Sequence, residues 1–106
     1  MDKIALLKLI LADDKQTSSK EDSFLELEKV YAIRTVTMIY TGRLKAINEQ
    51  ELLISEAAWI PDTERWADFV ATGAHKEAEP YTKDVVINRG AIIDVTEIPS
   101  VIRKQK

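Results

Sequence analysis

The chain has 106 residues, 45% hydrophobic and 31% charged, with 15 basic against 18 acidic side chains and a net charge of −3. That length and balance fit one globular domain; they exclude a disordered chain and disfavour a general polyanion binder, whose affinity rests on clustered Lys and Arg. Cysteine is absent and His75 is the one histidine, so disulfides and thiolate metal sites are excluded and a His-rich metal site or a His-paired nucleophile is hard to build. No cofactor or metal is expected, and the lack of cysteine leans the compartment toward the cytoplasm.

The first predicted element covers residues 1–12. Its run IALLKLILA (4–12) is apolar except for Lys8 and has no Gly or Pro, which predicts a short helix. The apolar side chains go round most of the helical wheel, so the helix wants burial on more than one side. Its own domain could supply that cover, or a neighbouring subunit or another protein could. Ile4, Leu7 and Leu11 are the candidate partner contacts. The run is too short to span a bilayer, and it lacks a basic leader and a small-residue cleavage site, so no membrane association and no signal peptide is expected. Residues 13–23, DDKQTSSKEDS, read as a polar linker. Its carboxylate pairs, Asp13-Asp14 and Glu21-Asp22, have neither burial nor a partner to tune them, so no catalytic constellation is expected.

Period-two alternation begins at Val30. Val30, Ala32, Val36, Met38, Tyr40, Leu44 and Ala46 fall on one face; Thr35, Thr37, Thr41, Arg43 and Lys45 fall on the other. This is the pattern of half-buried strands. A turn is expected near Thr37, although no Gly, Asn or Pro marks it. Gly42 stands where a strand bends or another backbone comes close. A further strand, LLISEAAWI (52–60), is expected to stop at Pro61. In DTERWADFVATG, Asp62 or Thr63 can cap a helix, Trp66, Phe69 and Val70 share its face, and Gly73 sits at its stop. Trp66 and Phe69 are expected to pack on the sheet, and they are also candidate partner contacts. AHKEAEPYTKD reads as a loop with His75 on the surface. VVIN (85–88) and AIIDVTEI (91–98) make two closely linked strands, followed by a basic, solvated tail, 99–106.

The expected fold is therefore mainly β: five short strands in a small barrel that removes exposed edges, with an N-terminal helix and a short helix inserted between strands 3 and 4. The barrel would occupy 28–98 and the insert 61–84 of a single domain.

Two stretches carry a family resemblance. KVYAIRTVTMIYTGRLKAINEQELLISEA (29–57) resembles the first motif of the Sm, Sm-like and Hfq proteins, in the alternation before Gly42, in Leu44 and Ile47, and in Leu52, Ile54 and Ala57 after a polar tip. NRGAIIDV (88–95) resembles the second motif, in which Arg-Gly joins the last two strands. The resemblance implies a strongly bent, SH3-like barrel that closes into a homo-oligomeric ring. It also implies that the fourth strand of one subunit pairs with the fifth of the next, which makes Val85, Val86, Ile87, Ile92, Ile93 and Val95 the interface candidates. The family typically binds single-stranded, uridine-rich RNA at the pore; Arg89 and Gly90 match its Arg-Gly pair, Asn48 stands where an Asp is common, and with Gln50 these are the RNA-binding candidates. The tip Glu49-Gln50-Glu51 departs from the family pattern: Glu51 or Leu52 holds the usual Asn position, and a carboxylate there repels phosphate and cannot donate as an amide does. Asn88 also stands where a branched apolar residue is usual. Two functions follow as expectations: a ring serving as a non-catalytic scaffold or adaptor, and a ring binding single-stranded RNA.

Overall fold

The computed structural model describes residues 23–106. The expected N-terminal helix, with Ile4, Leu7 and Leu11, and all but the last residue of the polar linker lie outside the described residues. Six antiparallel strands form one sheet: β1 (Val30–Thr35), β2 (Ile39–Ile47), β3 (Glu51–Asp62), β4 (Glu77–Pro80), β5 (Val85–Asn88) and β6 (Ile92–Glu97). Among the described residues one α-helix, α1 (Trp66–Thr72), lies between β3 and β4, and a 3-10 turn, Arg89–Ala91, joins β5 to β6.

The hydrogen-bonded path runs β4-β3-β2-β1-β6, with β5 also on β3. β3 serves two neighbours along one edge because it is long and bends. Its first part pairs with β5, Leu52 opposite Ile87, and its last part with β4, Ala58 opposite Pro80. Between them Glu56 adopts φ 51, a left-handed conformation unusual for a residue with a Cβ. Arg43 holds that side chain, its Nε donating to Glu56 Oε1 over 2.8 Å. The close approach expected at Gly42 is present: a Cβ there would lie 2.9 Å from Ile54 Cδ1 and 3.1 Å from the Ser55 carbonyl oxygen.

β1 is buried on both faces, and this organises the core. Tyr31 and Ile33 join Leu44, Leu52, Ile54, Ala57 and Ile87 in one cluster. Their chain neighbours Val30 and Ala32 join Ala58, Ile60, Phe69, Ala78, Ile98 and Ile102 in a second. The second cluster lies under α1 and the C-terminal segment.

The alternation expected through residues 30–46 does not describe one buried face. Tyr40 and Leu44 pack in the first cluster, Val30 and Ala32 in the second, Thr41 is fully buried, and Val36 and Ala46 are exposed. The phase is reset at a tight turn built by Thr35. Its Oγ1 donates to the Met38 carbonyl and accepts from the Met38 amide, each over 2.9 Å. A threonine side chain thus does what Gly, Asn or Pro more often does in a reversal.

Four further expectations change. Pro61 does not end β3, which continues to Asp62; the pairing with β4 shifts register between Trp59 and Asp62, and proline is tolerated at such irregularities. The helix starts later than expected, with Arg65 rather than Asp62 or Thr63 at its N-cap and no side-chain cap bond, while Gly73 ends it with φ 85. The stretch read as a loop contains β4, one strand more than the five expected. His75 is only partly exposed: its Nδ1 lies 2.7 Å from the Gly73 carbonyl oxygen and its ring stands edge-on to Phe69.

Glu64, just before α1, is exposed and has φ 61. Glycine would remove roughly 1–2 kcal/mol of left-handed strain and add roughly 0.5–1 kcal/mol of unfolded-state entropy. Glu64→Gly should therefore raise stability by about 0.5 kcal/mol, measured by urea denaturation.

Candidate functional site

The four RNA-site candidates come together at one corner of the sheet. The β2–β3 hairpin closes on Asn48, whose Oδ1 accepts from the amides of Gln50 and Glu51, each over 2.7 Å. This Asx-type closure suits a tip that has no glycine. The β5–β6 connection is built in a similar way: Asn88 Oδ1 accepts from the Gly90 amide over 2.7 Å and starts the 3-10 turn. A Cβ on Gly90 would meet that same Oδ1 at 3.1 Å. Asn88 therefore caps this turn.

Because Glu51 pairs with Asn88, the two loops lie side by side. The Arg89 amide donates to the Gln50 carbonyl over 2.8 Å, and the Arg89 guanidinium donates through Nη1 to the Asn48 carbonyl. Arg89 thus ties one loop to the other, while Glu49, Gln50 and Glu51 stand exposed around it. Chemically, the corner presents a guanidinium already engaged with a main-chain oxygen, and the adjoining tip carries the carboxylates of Glu49 and Glu51. That arrangement fixes two loops, and it offers little net positive charge to a phosphate.

The interface candidates divide by face. Ile87 is buried in the core, and Val85, Ile92 and Val95 pack partly against it. Val86 and Ile93 are 57% and 63% exposed. β5 is hydrogen-bonded to β3 alone and β6 to β1 alone, so each keeps one unpaired edge among the described residues. Ile93 also lines a shallow groove with Val36, Met38, Trp59 and Pro61.

Of the helix candidates, Phe69 is fully buried and presents no surface to a partner. Trp66 is partly buried and lies under the Arg34 guanidinium, whose carbon is 4.3 Å from the ring centroid. Arg34 is also joined to Asp94 through Nε, at 2.9 and 3.1 Å from the two carboxylate oxygens, and through Nη2. β1, β6 and α1 are so clamped by one side chain. Sequence reading missed this clamp, whose partners are 60 residues apart, and it missed the groove.

Hydrogen bonds from Arg34 hold the Asp94 carboxyl below the usual aspartate range; partial burial opposes this and the Arg34 charge reinforces it. A depressed folded-state pKa contributes stability that is complete above the unfolded value, about 3.9, and is lost as pH falls through the folded one. Wild type should exceed Asp94→Asn in denaturation midpoint by a constant margin above about pH 5, and the margin should shrink in acid.

Among the described residues no group of His, Asp and Glu side chains is placed to hold a metal ion, and no helix is long and apolar enough to cross a membrane. No protein-family model, curated protein or solved structure matches the chain.

Proposed function

We propose that the chain is a ring-forming, non-catalytic scaffold or adaptor: a small, strongly bent Sm-like barrel that assembles with copies of itself and presents apolar surface to another protein. The observation that carries this reading is the pair of open-edged strands, β5 and β6, each showing a solvent-exposed branched residue, Val86 and Ile93. Open edges are templates for strand addition, and head-to-tail pairing that closes on itself removes them all. The groove beside Ile93 would give such a contact an apolar floor. The apolar run at 4–12, which includes Leu7, is the natural contact for a second protein.

RNA binding is the second reading, favoured by the convergence of Asn48, Gln50, Arg89 and Gly90. It ranks lower because Arg89 and the Asn48 Oδ1 are engaged within the fold and the tip carries Glu49 and Glu51.

Light scattering on size-exclusion eluates tests the assembly. Wild type should elute as one species of several subunits, and Val86→Lys with Ile93→Lys should shift it toward monomer while the circular dichroism is kept. A double variant with unchanged mass would refute strand-edge assembly. Binding of oligo-uridine that is steeply salt-dependent and lost in Arg89→Ala would favour the second reading.

A further inference from the structure

Residues 99–106, expected to be a solvated tail, are folded back on the molecule. Ile98 and Ile102 are buried in the second core cluster with Phe69, Ile60 and Ala78, and Val101 packs against it. Beyond Ile102 the chain runs along the edge of β4 not used by β3. Ala78 and Lys106 exchange both main-chain hydrogen bonds, at 3.2 and 3.0 Å. Such an exchange marks an antiparallel pair. The same antiparallel register sets Gln105 beside Glu79, with Nε2 3.2 Å from Oε2, and Arg103 beside Tyr81.

Pro80 has no amide hydrogen, so the main-chain ladder cannot continue through it. The Arg103 side chain takes over at that point. Its Nη1 donates to the Ala57 carbonyl over 2.7 Å and its Nη2 to the Tyr81 carbonyl over 2.8 Å. Lys106 Nζ donates to the His75 carbonyl over 2.8 Å. The charges match as well: the β4 edge carries exposed Glu77 and Glu79, and the segment lying on it carries Arg103, Lys104 and Lys106.

We propose that this edge of β4, with the apolar shelf beside it, is a binding site for an extended basic peptide in which an aliphatic residue directly precedes an arginine, and that residues 101–106 are its resident occupant. Strand addition supplies the main-chain bonds, and the seats of Ile102 and Arg103 supply the side-chain preference. The exposed Pro99-Ser100 pair is the hinge from which the occupant would swing away. An intramolecular occupant competes at an effective concentration of about millimolar, so the site is kept closed until a stronger or more abundant peptide arrives. The proposal stands apart from the ring reading, because it uses neither β5 nor β6.

The test uses a labelled peptide of residues 98–106, Ile-Pro-Ser-Val-Ile-Arg-Lys-Gln-Lys, added to the full chain as wild type, Arg103→Ala and Ile102→Asp. Fluorescence anisotropy should show saturable binding to both variants at least about tenfold tighter than to wild type, weakening as salt is raised. A peptide with alanine for its arginine should bind at least about tenfold less well. Variants that keep a cooperative melt yet bind the peptide no better than wild type would overturn the proposal, as would equal binding of a scrambled peptide. Should either variant fail to fold, wild type decides by amide NMR with millimolar peptide. The Lys106 resonance should then move toward its free position while Ala78 stays protected from exchange; no movement of Lys106 would overturn the proposal.

Discussion

Phe69→Ala should cost about 3–5 kcal/mol, a large share of the roughly 5–15 kcal/mol that holds a domain of this size together. Among the described residues Phe69 is the largest fully buried side chain, and it is the one residue of α1 that is wholly inside. It meets Trp66 at a ring-centroid distance of 5.5 Å and His75 edge-on at 6.3 Å, and it shares its cluster with residues of β1, β3, β4 and the C-terminal segment. Its removal leaves a cavity where the helix, the sheet and the folded-back tail meet, and none of these can collapse into it alone. Chemical denaturation should give a lower midpoint, and the resonances of residues 101–106 should broaden along with those of α1. Phe69→Leu, which keeps much of the volume, should recover over half of the loss.

Gly42→Ala should cost about 1–3 kcal/mol although it adds a single methyl group. The obstacle is the neighbouring strand itself. An added Cβ would be 3.0 Å from the Ile54 Cβ and 3.1 Å from the Ser55 carbonyl oxygen, both fixed by the β2–β3 ladder. A rotamer change at Ile54 relieves only the Cδ1 contact, so the two strands must separate or slide. Gly42→Val should be worse, and Ile54→Ala should not rescue it, because the backbone oxygen remains. Equal thermal midpoints for wild type and Gly42→Ala would show that the bend does not depend on this close approach.

Where local chemistry decides structure, the sequence was legible. Gly73 ends α1, Gly42 marks the approach of β2 to β3, and the branched runs around Arg89-Gly90 are strands joined by a short turn. Two kinds of structure were not legible: one unmarked local turn and the non-local contacts. The turn expected near Thr37 carries no usual signal because it relies on the Thr35 hydroxyl bonding three residues on, and threonine is commoner in strands. β4 is four residues with Glu at two of them, and only its place between β3 and the tail makes it a strand. The basic tail looked solvated because Arg103, Gln105 and Lys106 meet carbonyls and a carboxylate that lie 22 to 46 residues away in the chain.

The candidate site was legible as an address and not as chemistry. Asn48, Gln50, Arg89 and Gly90 do lie at one corner, since Glu51 pairs with Asn88. Their bonds run inward, to main-chain atoms of the same two loops, and that direction has no sequence signature. The exposed apolar side chains on and beside the strands, such as Val36, Trp59, Val86 and Ile93, were equally hard to rank, because alternation marks a residue as apolar without saying which face a bent sheet leaves open.

Self-assembly through β5 and β6 can be read from native mass spectrometry of the purified protein, with and without oligo-uridine. One dominant closed species of several identical subunits is expected, with its mass unchanged by oligo-uridine. A monomer persisting at high protein concentration would refute strand-edge assembly.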